Sequence, residues 1–352
     1  MKDSRFNTYM AMLFRNVIAA VIAVATIECV VRNINYLKPP LYGEFHKNIA
    51  PNSTAVYRLE GAGIGYWNED GVRSKLKPPY PSPPILAIGD SFTEALQVHD
   101  TEVFTSVLEE RLIQRGGRTP VLNLGFGGGA LPHYISTAER YKSRFSPKWV
   151  IIQLRDLDLT TEAWGKEGGH FVRNEINGEI TCVPAATSLA NQSRAYRFFV
   201  RLCTYLSFPR YANARIREFR LMAKNEAPLF NAGYANLTPA PQDPEPGAYP
   251  IAREIELLRK AYEGRLTILY IAPYNPRSPM SVSSMESELS KVCREQKISF
   301  VTTRSAYESF KARNLSPFGF SNSNFNVGHC NRDGHQAIAD LLADELAKVV
   351  KQ

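Results

Sequence analysis

The stretch Ile85-Leu86-Ala87-Ile88-Gly89-Asp90-Ser91-Phe92-Thr93-Glu94 decides the fold. Its apolar run is too short for a helix and apolar on both faces, as in a strand buried within a parallel sheet. Gly89-Asp90-Ser91 then turns the chain at the strand's C-terminal end, where open α/β sheets place their active sites. The turn also opens a helix, so backbone N–H groups there can face a developing oxyanion. A Gly-Asp-Ser triplet alone is only a turn, and its chemistry has to be argued from the rest of the chain.

Working outward, the alternation of strand and helix repeats. Thr101 to Arg115 carries Phe104, Val107, Leu108 and Leu112 at helical spacing, and Gly116-Gly117 stops it. VLNLG (121–125) reads as the second strand, and Tyr134, Ile135, Ala138 and Tyr141 lie on the helix after it. WVIIQL (149–154), LTILYIAP (266–273) and SFVTT (299–303) supply three more strands, with a helix through Ile255, Leu258 and Ala261 between the first two. An amphipathic helix through Ile338, Leu341, Leu342, Leu346 and Val349 closes the chain. The expected fold is α/β, a three-layer sandwich with a central parallel sheet covered on both faces. One region interrupts the alternation. Asn177-Gly178 within HFVRNEINGEITCV (170–183) signals a hairpin, and 185–224 reads as largely helical with Tyr196, Phe199, Leu202 and Leu206 on its apolar side. Residues of about 160–250 therefore form an insertion in the 85–352 domain.

The N-terminal side has a different character. Residues 1–35 contain VIAAVIAVATIECVV (17–31), extended by Ala11 to Phe14 to the ~20 residues a membrane span needs. Lys2, Arg5 and Arg15 precede the apolar run, which predicts a cytoplasmic N-terminus and a domain on the non-cytoplasmic side. Ala23-Val24-Ala25 leaves a cleaved signal peptide as the rival to an anchor. Residues 36–84, rich in Pro, Gly, Tyr and Asn, read as an irregular extension packing on the domain, ending in the stiff connector KLKPPYPSPP (75–84).

Of 352 residues, 44% are hydrophobic and 22% charged, the proportions of a globular protein, and the formal net charge is +8. No zinc-ligand spacing, Walker loop or aromatic RNA-binding motif accompanies the charge, so no metal, cofactor or nucleic-acid partner is expected. The expected partners are the membrane, through the N-terminal helix, and an ester substrate or the other proteins of a membrane complex. Cys29, Cys182, Cys203, Cys293 and Cys330 form no CxxC pair. The last four are open to either disulfides or buried thiols.

Three stretches together resemble the SGNH/GDSL hydrolase superfamily. Gly89-Asp90-Ser91-Phe92-Thr93-Glu94 is similar to its first block, Asn123-Leu124-Gly125-Phe126-Gly127-Gly128 to the NxGxxG second block, and His329-Cys330-Asn331-Arg332-Asp333-Gly334-His335 to the fifth. The lead-in NEDGVR (68–73) resembles the NxxGxR segment that precedes the domain in many secreted members. The resemblance implies Ser91 as nucleophile, His329 as general base and the N–H groups of Ser91 and Gly128 as oxyanion donors. Asp90 and Asn123 support the loops, and His335 is a packing residue at a helix start.

Two blocks depart from the pattern. The asparagine of the third block, an oxyanion donor, falls at Leu157, next to Asp158. Arg155 or Gln153 is a possible substitute donor, and Asp156 and Asp158 are either a relocated acid pair or a solvated loop. In the fifth block the usual aspartate of DxxH is Asn326, which can orient the imidazole but cannot stabilise its charge. The expectation is thus a membrane-anchored serine esterase or O-acyltransferase acting on an acylated glycan or lipid, with Ser91, His329 and Asn326 as its machinery. The alternative is a catalytically impaired subunit with a structural or interaction role in a membrane complex.

Overall fold

The computed structural model describes residues 2–34, 41–42, 48–49, 52–57, 60–159, 169–173, 180–184, 251–323 and 326–350. The described residues fall into two units, helix α1 (Lys2–Ile34) on one hand and everything from Leu41 onward on the other. Within α1, Met10–Val30 is long and apolar enough to cross a membrane and is exposed apart from Glu28, which suits a membrane anchor or a signal sequence.

The domain opens with two antiparallel pairs, β1 (Leu41–Tyr42) with β2 (Asn48–Ile49), and β3 (Ser53–Tyr57) with β4 (Gly63–Trp67). Part of the extension, which its composition suggested to be irregular, is thus paired in strands. In β4 alternate positions are buried, but glycines fill two of them and hide the alternation from a reading of side-chain polarity.

The central sheet follows: β5 (Ile85–Gly89), the short helix α2 (Ser91–Glu94), α3 (Phe104–Gln114), β6 (Val121–Gly125), α4 (Leu131–Phe145) and β7 (Trp149–Leu154). The helical spacing predicted from Thr101 begins as a separate 3-10 turn at Asp100–Glu102. The hairpin forms with β8 (Gly169–Arg173) and β9 (Ile180–Pro184) as its arms; its Asn177-Gly178 turn and the helical reading of 185–224 fall outside the described residues. The remainder is α5 (Ile251–Ala261), β10 (Arg265–Tyr270), α6 (Ser284–Glu295), β11 (Ser299–Thr302), α7 (Arg304–Ala312) and α8 (Arg332–Val350).

All five strands of the sheet are parallel, in the order β11-β10-β7-β5-β6. Side chains alternate between two cores. Leu86, Ile88, Val150, Ile152 and Leu154 pack with α4, α5 and α6 on one face. Ile85, Ala87, Trp149 and Ile151 pack with α3, α7 and α8 on the other. Burial on both faces explains why the strands read as unbroken apolar runs. The chain leaves β5 towards β6 and returns past it to β7, so the crevice at the C-terminal ends of β5 and β7 is the sheet's switch point.

Cys293 and Cys330 are buried free thiols, and burial pushes each up to about 12. Cys203 and the side chain of Cys182 fall outside the described residues.

Candidate active site

Ser91 begins α2 directly beyond β5. Asp90 caps this helix, its Oδ1 accepting from the Phe92 N–H at 2.8 Å. Its other oxygen lies 2.7 Å from Arg155 Nη2, at the end of β7. Gln153, fully buried beneath the turn, accepts at Oε1 from the Asp90 N–H (3.2 Å) and the Thr93 hydroxyl (3.0 Å). Asn123 donates from Nδ2 to the Thr93 carbonyl at 2.6 Å and accepts from the Gly125 N–H at 2.9 Å, tying α2 to the end of β6.

The lead-in motif completes this cradle. Asn68 accepts from the N–H groups of Asp70 and Val72 and so closes a turn that aims Arg73 inward. The buried Arg73 donates to the carbonyls of Glu94, Ala95 and Val98 and pairs with Asp100 at 2.7 Å. A planar guanidinium can serve several carbonyls that an ammonium would reach one at a time.

The segment just before α8 brings the imidazole to Ser91. His329 Nε2 stands 2.9 Å from Ser91 Oγ, and the ring lies tilted on Phe92 with centroids 5.4 Å apart. The other nitrogen, Nδ1, is 2.6 Å from Oε2 of Glu60. Oε1 of the same carboxylate accepts from the His329 backbone N–H at 2.8 Å. Because a carboxylate only accepts, Nδ1 carries the proton in the neutral ring and Nε2 is left to accept from the Ser91 hydroxyl.

This arrangement corrects the role expected for Asn326. Asn326 adopts a left-handed backbone, φ 69°, and its N–H donates to the Phe318 carbonyl at 3.3 Å. Glu60, not Asn326, holds Nδ1. Neither are Asp156 and Asp158 a relocated acid pair for the imidazole. Asp156 accepts from the hydroxyl of Tyr270. Asp158 accepts from the Arg155 N–H at 2.8 Å and from the Tyr134 hydroxyl at 3.2 Å. It is 2% exposed, so the solvated-loop reading fails for it too. Burial, helped by the negative charge of Asp90 and opposed by Arg155, pushes Asp158 up to about 7.

The oxyanion side is thinner. Gly128 sits exposed at φ 82° on the turn after β6, beside Gly127, whose N–H donates to Glu94 Oε2 at 2.9 Å. Leu157, at the position of the family's third donor, is 44% exposed and brings no polar atom. Neither candidate substitute is well placed: Gln153 lies under the turn, and Arg155 is paired with Asp90 and stacked over Phe92 at 4.6 Å. His335 is fully buried against Phe104, and burial together with the nearby Arg73 and His329 pushes it down to about 3. It is a neutral packing residue.

Glu60 escaped the sequence reading because it lies in the extension, 269 residues before His329, and no motif spacing links the two. The available signal was indirect: Gly61 after it and Gly328 before the histidine. An added Cβ on Gly328, whose φ is 94°, would fall 2.1 Å from Glu60 Oε1. That glycine makes room for the carboxylate.

No family model matches the sequence, and no curated protein does. Solved structures similar to the chain include TesA, at TM-score 0.40 and 12% identity over 75% of this chain and 98% of that one. An esterase from Pseudoalteromonas sp. matches at TM-score 0.37 and 9% identity, over 77% of this chain and all of its own. An acetylxylan esterase from Geobacillus stearothermophilus matches at TM-score 0.38 and 14% identity, over 75% and 94%. Likenesses this distant carry no argument of their own. What the chain itself provides is a parallel sheet with Ser91 after β5, Gly128 after β6 and His329 just before α8, and that order makes the fold SGNH-hydrolase-like.

Proposed function

We propose that this protein is a membrane-tethered serine esterase or O-acyltransferase acting outside the cytoplasm on an acylated glycan or lipid. The observation that carries the reading is the 2.9 Å contact between His329 Nε2 and Ser91 Oγ at the C-terminal end of a parallel strand. Lys2 and Arg5 before the apolar span and Arg15 in its N-terminal part support the orientation.

Ser91 Oγ attacks the ester carbonyl while His329 Nε2 takes its proton, and the charge that develops on the carbonyl oxygen faces the N–H groups of Ser91 and Gly128. The tetrahedral species collapses as His329 returns the proton to the departing alkoxide, leaving an acyl-serine. Water or an acceptor hydroxyl then attacks the acyl carbon, giving its proton to His329, which passes it to Ser91 as the product leaves. Water gives the acid; a hydroxyl gives a new ester. With Leu157 bringing no third donor, each attack is slower by ~10²–10³-fold than in a hole that has one there.

Leu157 in the third donor's place is the observation that favours the other reading, a catalytically impaired subunit of a membrane complex. A fluorophosphonate probe separates the two. We expect a covalent adduct on Ser91 in the purified protein and none in Ser91→Ala, and a membrane-impermeant probe should label intact cells. An unlabelled wild type that is folded and bound in a complex would establish the subunit reading.

A further inference from the structure

We infer that Glu60 supplies the acid of this site as a positioning residue, so that the carboxylate missing from the fifth block has been replaced by one from the N-terminal extension. The inference rests on the serine-hydrolase reading above and adds a group to it that lies outside all the motif blocks.

The geometry is two-point. One carboxylate oxygen meets Nδ1 at 2.6 Å and the other meets the backbone N–H of the same histidine at 2.8 Å. The second bond matters because it fixes the carboxylate relative to the backbone that carries the ring, so the imidazole can turn only by giving up its own bond to Oε2. Glu60 is only 4% exposed, and a buried carboxylate without partners would be costly. Here both oxygens are engaged, and when Nε2 takes the Ser91 proton the resulting imidazolium has an ionised partner in a low-dielectric setting.

Glu60 is also held from behind. The next residue, Gly61, donates to Asn322 Oδ1 and accepts from its Nδ2, both at 2.8 Å. Ala62 donates to the Gln97 carbonyl at 3.1 Å. Asn322 belongs to the loop that leads to His329, and Gln97 to the chain that follows the Ser91 helix. The carboxylate is thus clamped to both halves of the dyad it serves. Gly61 has φ 74° and its missing Cβ would lie 2.3 Å from Gln97 O, so the seat requires glycine there. None of this would be needed if Glu60 were a surface residue that happened to reach the ring.

The test uses the full-length chain in detergent or membranes. Glu60→Gln keeps the size and removes the charge, and should lower kcat by ~10²–10⁴-fold with KM nearly unchanged, as loss of the charge in a serine triad does. Glu60→Asp, one methylene shorter, should recover part of that loss. A second readout is independent of turnover: the far-downfield N–H proton resonance of an imidazole bonded to a carboxylate should be present in the wild type and absent in Glu60→Gln. Retention of that resonance, or a Glu60→Gln kcat within ~3-fold of wild type, overturns the inference. A wild type that shows the resonance but no turnover and no Ser91 labelling defeats the hydrolase reading and leaves the placement of Glu60 standing. Thermal melts of both variants report whether either loss comes from unfolding.

Discussion

The two motif blocks that depart from the family pattern have opposite structural outcomes. In the fifth block the aspartate has become Asn326, yet the imidazole still meets a carboxylate, because Glu60 reaches it from another part of the chain. In the third block Leu157 stands where the pattern has asparagine, and neither described neighbour takes its place: Gln153 is buried below the turn and Arg155 is bound to Asp90. On the proposed reading, one contact is made from elsewhere in the chain and the other is not made by the residues around Leu157. The comparison teaches that a missing motif residue says little until the atom it would have touched is inspected. Nδ1 has a carboxylate partner, whereas Leu157 brings no polar atom.

The contact between Glu60 and His329 can also be broken through Gly328. Gly328→Ala places a methyl where Glu60 Oε1 now lies and forces an alanine into a left-handed backbone. We expect kcat to fall ~10²-fold or more, with ~1–3 kcal/mol of strain seen as a lower melting temperature. A variant with wild-type turnover would mean that the carboxylate is not needed where it sits. The third block can be sharpened in the other direction. Leu157→Asn should raise kcat by at least ~10-fold, towards the ~10²–10³ that one oxyanion donor is worth. No gain, in a variant that still labels at Ser91, would show that the hole is already complete. The smallest effect belongs to the position the motif would single out: Asn326→Asp should change kcat by less than ~3-fold, since Nδ1 already faces a carboxylate, and a large gain would mean that Glu60 does not act as inferred.

Legibility followed the length scale of the signals. The sheet from Ile85 onward was readable because strands buried on both faces leave unbroken apolar runs, and Ser91 and His329 were readable because each lies in a compact local motif. Helices α6 and α7 are not among the elements expected from the sequence, and the β3–β4 pair does not show there because glycine occupies alternate positions of β4. Glu60 was not legible at all. A single glutamate between apolar and glycine residues carries no periodicity, and its meaning depends on a contact across most of the chain. Arg73 was the intermediate case: NEDGVR marked the extension as part of the domain but gave no sign of the three carbonyls and the carboxylate that its guanidinium joins.

The clamp on Glu60 also changes what counts as the smallest heritable piece of this activity. A gene fragment beginning at Ile85 would encode the nucleophile, the imidazole, the oxyanion turn and every strand of the sheet, and would look complete by motif. It would nevertheless discard the acid. Recombination that swapped such a fragment onto a new leader would pass on the serine and the imidazole and leave behind the carboxylate that orients them, so on the proposed reading the extension and the sheet are inherited together.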